Sequence, residues 1–408
     1  MKKVKAVIGA NFGDEGKGLM TNYFCEQARN NNQSAIVVLH NGGSQRSHTV
    51  SLSPDIRHAF RHFGSGAFQG ADTYFAEDFI IDPINLVSEF VEIVNLGCKT
   101  KVKMYANKNC KVSLPCDALI NCIKETERNV GKHGSCGCGI YETIKRNQKK
   151  ELSLSAYELS KMTKSAIIQL IEESRKYAIT EIRNWCLEHN IIKLSDASLT
   201  YYKMLMEYEE IVNSYIYDAQ SLKIMSFVDD TILNEYDNII FEGGQGLLLD
   251  QNNKAYYPHL TPSNTGSINP CNIIKSAGLT NSDIELCYVT RTYLTRHGAG
   301  PLLTECDKIN INPHMHDKTN EPNLFQGTLR YGYMDTENLY KRIREDENDF
   351  TLPHKTSVAV THLNETDDCF IVPHAKQKII IPSEYGYYLS SGDAKMQTVE
   401  HIRDGVIR

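Results

Sequence analysis

The chain has 408 residues, of which 41% are hydrophobic and 23% charged, with 26 Gly and 12 Pro; this is an ordinary globular balance on a chain long enough to bury a sizeable core. A formal charge of -6 and a pI near 6.2, with no basic block longer than the cluster Lys145, Arg146, Lys149 and Lys150, give no sign of a nucleic-acid partner. No apolar run of about 18 residues marks a membrane span, and the first residues lead directly into a strand-like segment with no signal-peptide pattern. The twelve scattered cysteines then read as reduced thiols, and a cytosolic location is expected.

Lys5 to Ala10 reads as a buried strand, Gly13 to Gly18 as the turn after it, and Leu19 to Arg29 as a helix. The turn lies in Gly9-Ala-Asn-Phe-Gly-Asp-Glu-Gly-Lys-Gly18, the sharpest signal in the chain. Its glycines let backbone N–H groups approach phosphate oxygens, the helix N-terminus adds positive dipole, and Lys17 is placed to reach a terminal phosphate. Gly18 stands where the usual phosphate loop has a Mg²⁺-binding hydroxyl, which leaves Asp14 or Glu15 to serve the metal. Asp14 is also suited to take a proton from a substrate N–H, while a nearby imidazole hydrogen-bonds the oxygen being phosphorylated.

Ser34 to His40 is a second strand, and the Gly-rich loop Asn41 to His48 after it offers that imidazole in His48. Strand, phosphate-type loop, helix, strand is the opening of an α/β sheet. Cys136 and Cys138 are the tightest cysteine pair but have no second matching pair, so free thiols are expected and not a metal site. From about Leu152 to Tyr236 the spacing of Leu170, Ile171, Ser174, Tyr177 and Ala178 is helical, a helical insertion that shields a sheet face. Asn238 to Glu242 and Ile284 to Thr290 are further strands, each leading into a loop dense in Gly, Thr and Pro. Without a repeat or a clean linker, residues 1–408 are expected to form a single α/β domain: a large, mostly parallel central sheet with helices on both faces.

The two loops, followed by Phe241-Glu-Gly-Gly-Gln-Gly-Leu-Leu-Leu-Asp250, Tyr257-Pro-His-Leu-Thr-Pro-Ser-Asn-Thr265 and Thr295-Arg-His-Gly-Ala-Gly-Pro-Leu-Leu-Thr-Glu305, closely resemble adenylosuccinate synthetase in order and spacing, over roughly residues 1 to 400. The resemblance implies a Mg²⁺-dependent homodimer that transfers the γ-phosphate of GTP to O6 of IMP and then displaces phosphate with the amino group of aspartate. By position, Asp14 resembles the general base on N1 and a Mg²⁺ ligand. His48 resembles the general acid, and the Ser47 carbonyl a second contact to the metal. Gly13, Glu15, Gly16, Lys17, Gly18 and Thr49 would hold the triphosphate. Gln245 resembles a catalytic residue that also meets the monophosphate, as Thr261 does.

Departures from the family's pattern bear on substrate. In Gly42-Gly-Ser-Gln-Arg-Ser-His-Thr49, Gln45 replaces an Asn that meets the nucleotide phosphate, and Arg46 and Ser47 add bulk or charge. Lys132-His-Gly-Ser-Cys-Gly-Cys-Gly-Ile-Tyr141 lacks the family's Thr hydroxyls; Lys132 or His133 would substitute, and Arg146 is the nearest candidate for the arginine donated across the dimer interface. The guanine-reading Asp is replaced by Asn364, which has no charge and both accepts and donates, so ATP joins GTP as an expected donor. His362, Ser391 and Gly392 complete that expected nucleoside pocket. The family's arginine-rich aspartate loop keeps only Arg330, with Arg46, Arg296 or Lys318 as replacements, and Arg296, Thr304 and Arg330 are the expected amine-donor contacts. The pair Asp14 and His48 favours a working ligase. The alternatives are the viral branch acting on dGMP, whose members typically replace the Asp that is kept here, a ligase using another amine, and a nucleotide-binding homologue without turnover.

Overall fold

The structure is a computed structural model that describes residues 1–53, 55–97, 102–207, 209–315, 322 and 324–391, together with the backbone of 398–402. Lys318 and Gly392, both named above, lie outside the described residues.

Ten strands form the central sheet: β1 (Lys3–Gly9), β2 (Ala35–Leu39), β3 (Asp72–Phe75), β4 (Met104–Asn107), β5 (Ser226–Val228), β6 (Asn238–Gly246), β7 (Asp283–Arg291), β8 (Lys355–Thr361), β9 (Gly386–Ser391) and β10 (Thr398–Ile402). Their spatial order is β10-β9-β8-β7-β1-β6-β2-β3-β4-β5. Every neighbouring pair is parallel except β9 with β10. A parallel sheet is covered on both faces, so its strands must be apolar on both. In β1, Val4, Ala6 and Ile8 enter one core and Val7 the other; in β2, Ile36 and Val38 part from Val37 and Leu39 in the same way.

One face is covered by α1 (Lys17–Asn30), α2 (Pro83–Asn95) and α3 (Pro115–Arg128). Beyond these come α4 (Ile140–Asn147), α5 (Ala156–Lys161), α6 (Lys164–Glu188), α7 (Asp196–Met206) and α8 (Glu209–Ser221). Ile167, Ile171, Ala178 and Ile182 of α6 and Tyr215 and Ala219 of α8 join the core that contains Val7 and Val37. The opposite face is covered by α9 (Ile268–Ser276) and α10 (Thr336–Asp349) through Ile274, Leu339 and Ile343. The start of α2 shows how sequence sets such boundaries: Asp82 accepts hydrogen bonds from the N–H groups of Ile84 (3.1 Å) and Asn85 (3.2 Å), and Pro83 occupies the first helical position.

The mostly parallel α/β sheet expected from the sequence is present. Three details differ. The helical segment yields α5 to α8 but also the three-residue strand β5, which is too short to show a period and is fixed by pairing with β4. Helix α1 starts at Lys17, directly after the left-handed Gly16. Strand β6 runs on to Gly246, whose register against β1 shifts between Val7 and Gly9. Central β1 thus lies between β6 and β7, and the loops after β1, β2 and β6 open at the carboxyl ends of adjacent strands, where ligands of open α/β sheets bind.

Candidate active site

The loop after β1 is braced from within. Glu15 is buried, and its Oε1 accepts the backbone N–H groups of Asn11 (2.8 Å) and Gly13 (3.0 Å) while Oε2 lies 3.3 Å from Lys17 Nζ. The structure therefore takes the Glu15 carboxylate away from phosphate and metal: it is turned inward and holds the loop's shape. Gly246 packs so closely that a Cβ there would come 2.2 Å from the Asn11 carbonyl oxygen. Gly13 has φ +119° and open space where a Cβ would be, and Gly16 has φ +98° against Thr361. Asp14 adopts the left-handed conformation (φ 57°), which Asp and Asn tolerate. Its carboxylate is 29% exposed, with Oδ2 3.6 Å from His297 Nε2. Its carbonyl accepts a hydrogen bond from Arg291 Nε.

His48 packs against the first turn of α1, since a Cβ on Gly18 would lie 3.0 Å from His48 Cβ. Its Nδ1 is 2.7 Å from Glu242 Oε1 and its Nε2 3.3 Å from the Gly244 carbonyl. Glu242 comes from β6 and is fully buried. It accepts hydrogen bonds from the Ser65 N–H (3.1 Å) and the Ser65 hydroxyl, and forms an ion pair with Arg46 at 2.9 Å. Burial opposes charge on Glu242, but Arg46 and then His48 hold its carboxyl far below the usual carboxylate range. Burial, reinforced by Arg46, lowers the His48 pKa to about 4, against the pull of Glu242. The imidazole of the free protein is thus neutral at pH 7. An anionic Glu242 at Nδ1 calls for the proton on that nitrogen, which turns the other nitrogen into the exchangeable one.

Around this couple lie buried polar atoms without a hydrogen-bond partner: Ser44 Oγ, both amide atoms of Gln45, Nε and Nη1 of Arg46, Thr49 Oγ1 and Gln245 Oε1. Gln45 and Gln245 converge on Gly42, where a Cβ would lie 2.8 Å from Gln45 Nε2 and 3.3 Å from Gln245 Oε1. Buried polar groups are nearly always paired, so such a concentration fits a polar ligand that completes them. The residues also fit a magnesium ion. Among the described residues no group of three or more His, Cys, Asp or Glu is arranged to hold a metal. Mg²⁺ instead needs few protein ligands and takes substrate phosphates and water for the rest. Asp14 and the exposed Ser47 supply an available carboxylate and a backbone carbonyl on the two loops that meet at Gly18 and His48.

The remaining predicted residues separate into two groups. His133 and Thr261 are fixed through their backbones: the His133 carbonyl is 3.1 Å from His259 Nδ1, and the Thr261 N–H donates to the Leu249 carbonyl at 2.9 Å. Lys132 is half-buried at the start of the same loop as His133. On the donor side, His362 has φ 59° and shares a 2.7 Å hydrogen bond with Thr361 Oγ1, Asn364 is exposed on the turn Leu363–Glu365, and Ser391 ends β9 half-buried. Arg146, by contrast, is fully buried in its own subunit. Its Nε lies 3.0 and 3.1 Å from the two Asp117 carboxylate oxygens, and its Nη1 and Nη2 donate to the Leu152 and Val112 carbonyls at 2.7 Å each. This corrects the expectation that Arg146 reaches a nucleotide across an interface, because an arginine saturated by a buried carboxylate and two carbonyls is not available to another chain.

Arg296 is also committed: it donates to the carbonyls of Pro301 (2.7 Å), Ala299 (3.1 Å) and His259 (3.3 Å), and its guanidinium sits 4.5 Å from the Phe12 ring centroid. Thr304 Oγ1 donates to the Tyr333 carbonyl at 2.6 Å. Arg330 is held by Glu305 and by the carbonyls of Gly298 and Gly300. Cys136 and Cys138 are free thiols. Sequence reasoning passed over Glu242, Ser65 and His297; the one available signal was a carboxylate at the end of an apolar strand, immediately before Gly-Gly-Gln-Gly.

Comparison with known proteins identifies the family and the fold. The sequence profile of adenylosuccinate synthetase matches residues 6–362. The adenylosuccinate synthetase of Clostridium perfringens is 28% identical over 339 residues, covering 81% of this chain and 72% of that protein. That of Clostridium botulinum is 28% identical over 311 residues, covering 73% of this chain and 65% of its own length, so the matched chain spans about two thirds of these relatives. Among solved structures, fully ligated adenylosuccinate synthetase from Plasmodium falciparum superposes with a TM-score of 0.61 at 20% identity, over 89% of this chain and 77% of that one. Succinoaminodeoxyadenylate synthetase of cyanophage S-2L, bound to dGMP and dATP, superposes with a TM-score of 0.57 at 14% identity, over 98% of this chain and 95% of that one. The profile match over most of the sequence, on a parallel sheet whose central loops bring a carboxylate-backed imidazole to a glycine-rich turn, places the chain in the adenylosuccinate synthetase family.

Proposed function

We propose that the chain is a purine nucleotide ligase: it phosphorylates the 6-oxo group of IMP or a related purine monophosphate with a nucleoside triphosphate, then lets an amine displace the phosphate at C6. The observation that carries this reading is the Glu242–His48 couple, seated against the first turn of α1 and surrounded by unpartnered polar atoms of Gln45, Arg46, Thr49 and Gln245. A purine 6-oxo group is amide-like and leaves poorly, so phosphorylation divides one hard displacement into two easier ones, and the protein's task is positioning and charge stabilisation.

The triphosphate lies along the glycine-rich turn at the N-terminus of α1, with Lys17 and Thr49 beside it. Magnesium, held by Asp14 and the Ser47 carbonyl, would neutralise phosphate charge during transfer. Asp14 accepts the proton from purine N1, which makes O6 the nucleophile. His48 faces O6 through Nε2. Its neutral state in the free protein changes when phosphate charge enters the pocket, because a nearby anion favours the imidazolium that hydrogen-bonds the transferred phosphoryl group.

Asn364, exposed and uncharged, gives no carboxylate to guanine, which supports adenine as well as guanine donors. The phage enzyme sharing this fold is bound to dGMP and dATP, so dGMP is the second monophosphate to test. Association as a cytosolic homodimer belongs to the same reading, with a nucleotide contact other than Arg146 at any interface. Incubation with IMP or dGMP, GTP or ATP, and an amine should release phosphate and give a product of the mass of the C6-substituted nucleotide. Absence of phosphate release with every combination, despite nucleotide binding, would falsify the reading.

A further inference from the structure

The loop 132–139 carries the tightest cysteine pair of the chain, Cys136 and Cys138, which the ligase reading leaves without a task. Both ends of this loop are pinned to α3: the Gly134 N–H donates to Glu125 Oε1 at 2.7 Å and the Gly139 N–H to Asn121 Oδ1 at 3.2 Å. Between these anchors the backbone turns at Gly137, which has φ +88° and donates its N–H to Ser135 Oγ at 3.2 Å. The thiols on either side of that turn interact directly. Hydrogen bonding from Cys138 holds the Cys136 pKa below the usual thiol range, against the opposing pull of burial, while the same contact and burial push Cys138 well up. The pair is thus a nucleophilic sulfur beside a protonated one. Both members are partly exposed, whereas Cys25, Cys110 and Cys287 are buried and their thiols are pushed up by that burial. Cys122 Sγ lies 3.6 Å from the Gly137 carbonyl, but burial pushes its pKa up to about 11, so it remains a protonated bystander.

We propose that Cys136 and Cys138 form a redox-active dithiol: a peroxide closes them into a disulfide, a dithiol reductant reopens it, and the closed form binds the purine monophosphate less tightly. The binding effect rests on the ligase reading above; the thiol chemistry stands without it. The Cys136 thiolate attacks one peroxide oxygen, the O–O bond breaks, and the other oxygen leaves and is protonated to water or an alcohol. The Cys138 sulfur then attacks the resulting sulfenic sulfur, the S–O bond breaks, and water leaves with the thiol proton. Two thiols are oxidised by two electrons and one peroxide is reduced. An exposed thiol of low pKa next to a resolving thiol is the arrangement such chemistry needs. The loop also touches both segments that frame the site. A Cβ on Gly43, in the loop that ends at His48, would lie 2.8 Å from Ile140 Cδ1, and a Cβ on Gly298, next to His297, would lie 2.9 Å from the Gly134 carbonyl oxygen. Drawing two sulfurs into a bond of about 2.05 Å while both ends of the loop stay pinned to α3 must shift the loop against these neighbours.

Hydrogen peroxide treatment of the full chain, followed by trypsin and mass spectrometry, tests the pair directly, because the tryptic peptide 133–145 contains these two cysteines and no other. That peptide should lose the mass of two hydrogens and regain it with dithiothreitol. In Cys138→Ser the reaction should stop at a Cys136 sulfenic acid, which dimedone traps. A peptide that stays reduced, a crosslink to Cys122 in its place, or no dimedone adduct at Cys136 overturns the proposal. Calorimetry with IMP and dGMP reads the binding effect. Affinity should fall about tenfold on oxidation, within the usual span of coupling between two sites, and Cys136→Ser should bind equally with and without peroxide. Equal affinity of oxidised and reduced wild type overturns the coupling. Melting curves verify that both variants fold. If neither form binds a purine monophosphate, the ligase reading has failed and the binding effect with it, while the mass change still judges the dithiol.

Discussion

Asp14 and Glu242 illustrate how differently two carboxylates act within one site. Asp14 is partly exposed at φ 57°, a conformation that Asn also tolerates, so Asp14→Asn removes the base without straining the loop. Turnover should fall by about 10²- to 10⁴-fold, the usual contribution of a general base, with the melting temperature unchanged; a fully active variant would remove Asp14 from the chemistry. Glu242→Gln should behave in the opposite way. It leaves the Arg46 guanidinium buried without its counter-ion, a loss of about 3–5 kcal/mol, measurable as a lower urea midpoint alongside lower turnover. Asp14 and His48 stood out as candidates in the sequence because each sits in a glycine-rich loop after an apolar strand. Glu15 was misread because no spacing rule shows that a carboxylate beside a phosphate-type turn folds back onto its own backbone. Glu242 went unnoticed because its partners come from 177 and 194 residues away.

Among the elements, α3 and α4 are joined through one buried ion pair. Arg146 of α4 and Asp117 of α3 are both fully buried and paired, and Asp117 also accepts the Leu114 N–H at 2.9 Å, which starts α3. Arg146→Ala should therefore destabilise the fold by about 3–5 kcal/mol. Monophosphate KM, measured well below the melting temperature, should change little; a large KM effect with intact stability would restore a binding role for Arg146. The basic run that contains Arg146 looks solvated in sequence, and only the approach of α3 makes it interior. The strands β1, β2, β6 and β7, five to nine residues long, were readable because each has apolar residues on both faces. Strand β5, with Ser226-Phe-Val228, is defined by its neighbour and not by its own pattern.

Across the whole molecule, buried imidazoles set the response to acid. The pKa of His48 is lowered to about 4 and that of His40 to about 3, both mainly by burial, against about 6.5 in the unfolded chain. Below pH 6.5 the unfolded state binds two protons that the folded state refuses, so stability falls with pH. Asp346 acts in the opposite sense: burial raises its pKa to about 6, so the folded state holds a proton there that an unfolded Asp has released. Between about pH 6 and 4.5 these three groups together leave roughly one proton in favour of the unfolded state, a loss of about 1.4 kcal/mol per pH unit from them. Urea unfolding at pH 7 and pH 5 checks the sign, and greater stability at pH 5 would contradict it.

The position of β1 has one further outcome. Four strands lie on one side of it and five on the other, so the strands that carry the reactive loops are interior on both flanks. Amide hydrogen exchange should then be slowest in β1, β6 and β7 and fastest in the terminal strands β5 and β10, because openings start where few contacts must be broken. The catalytic frame would remain closed while either margin of the protein breathes.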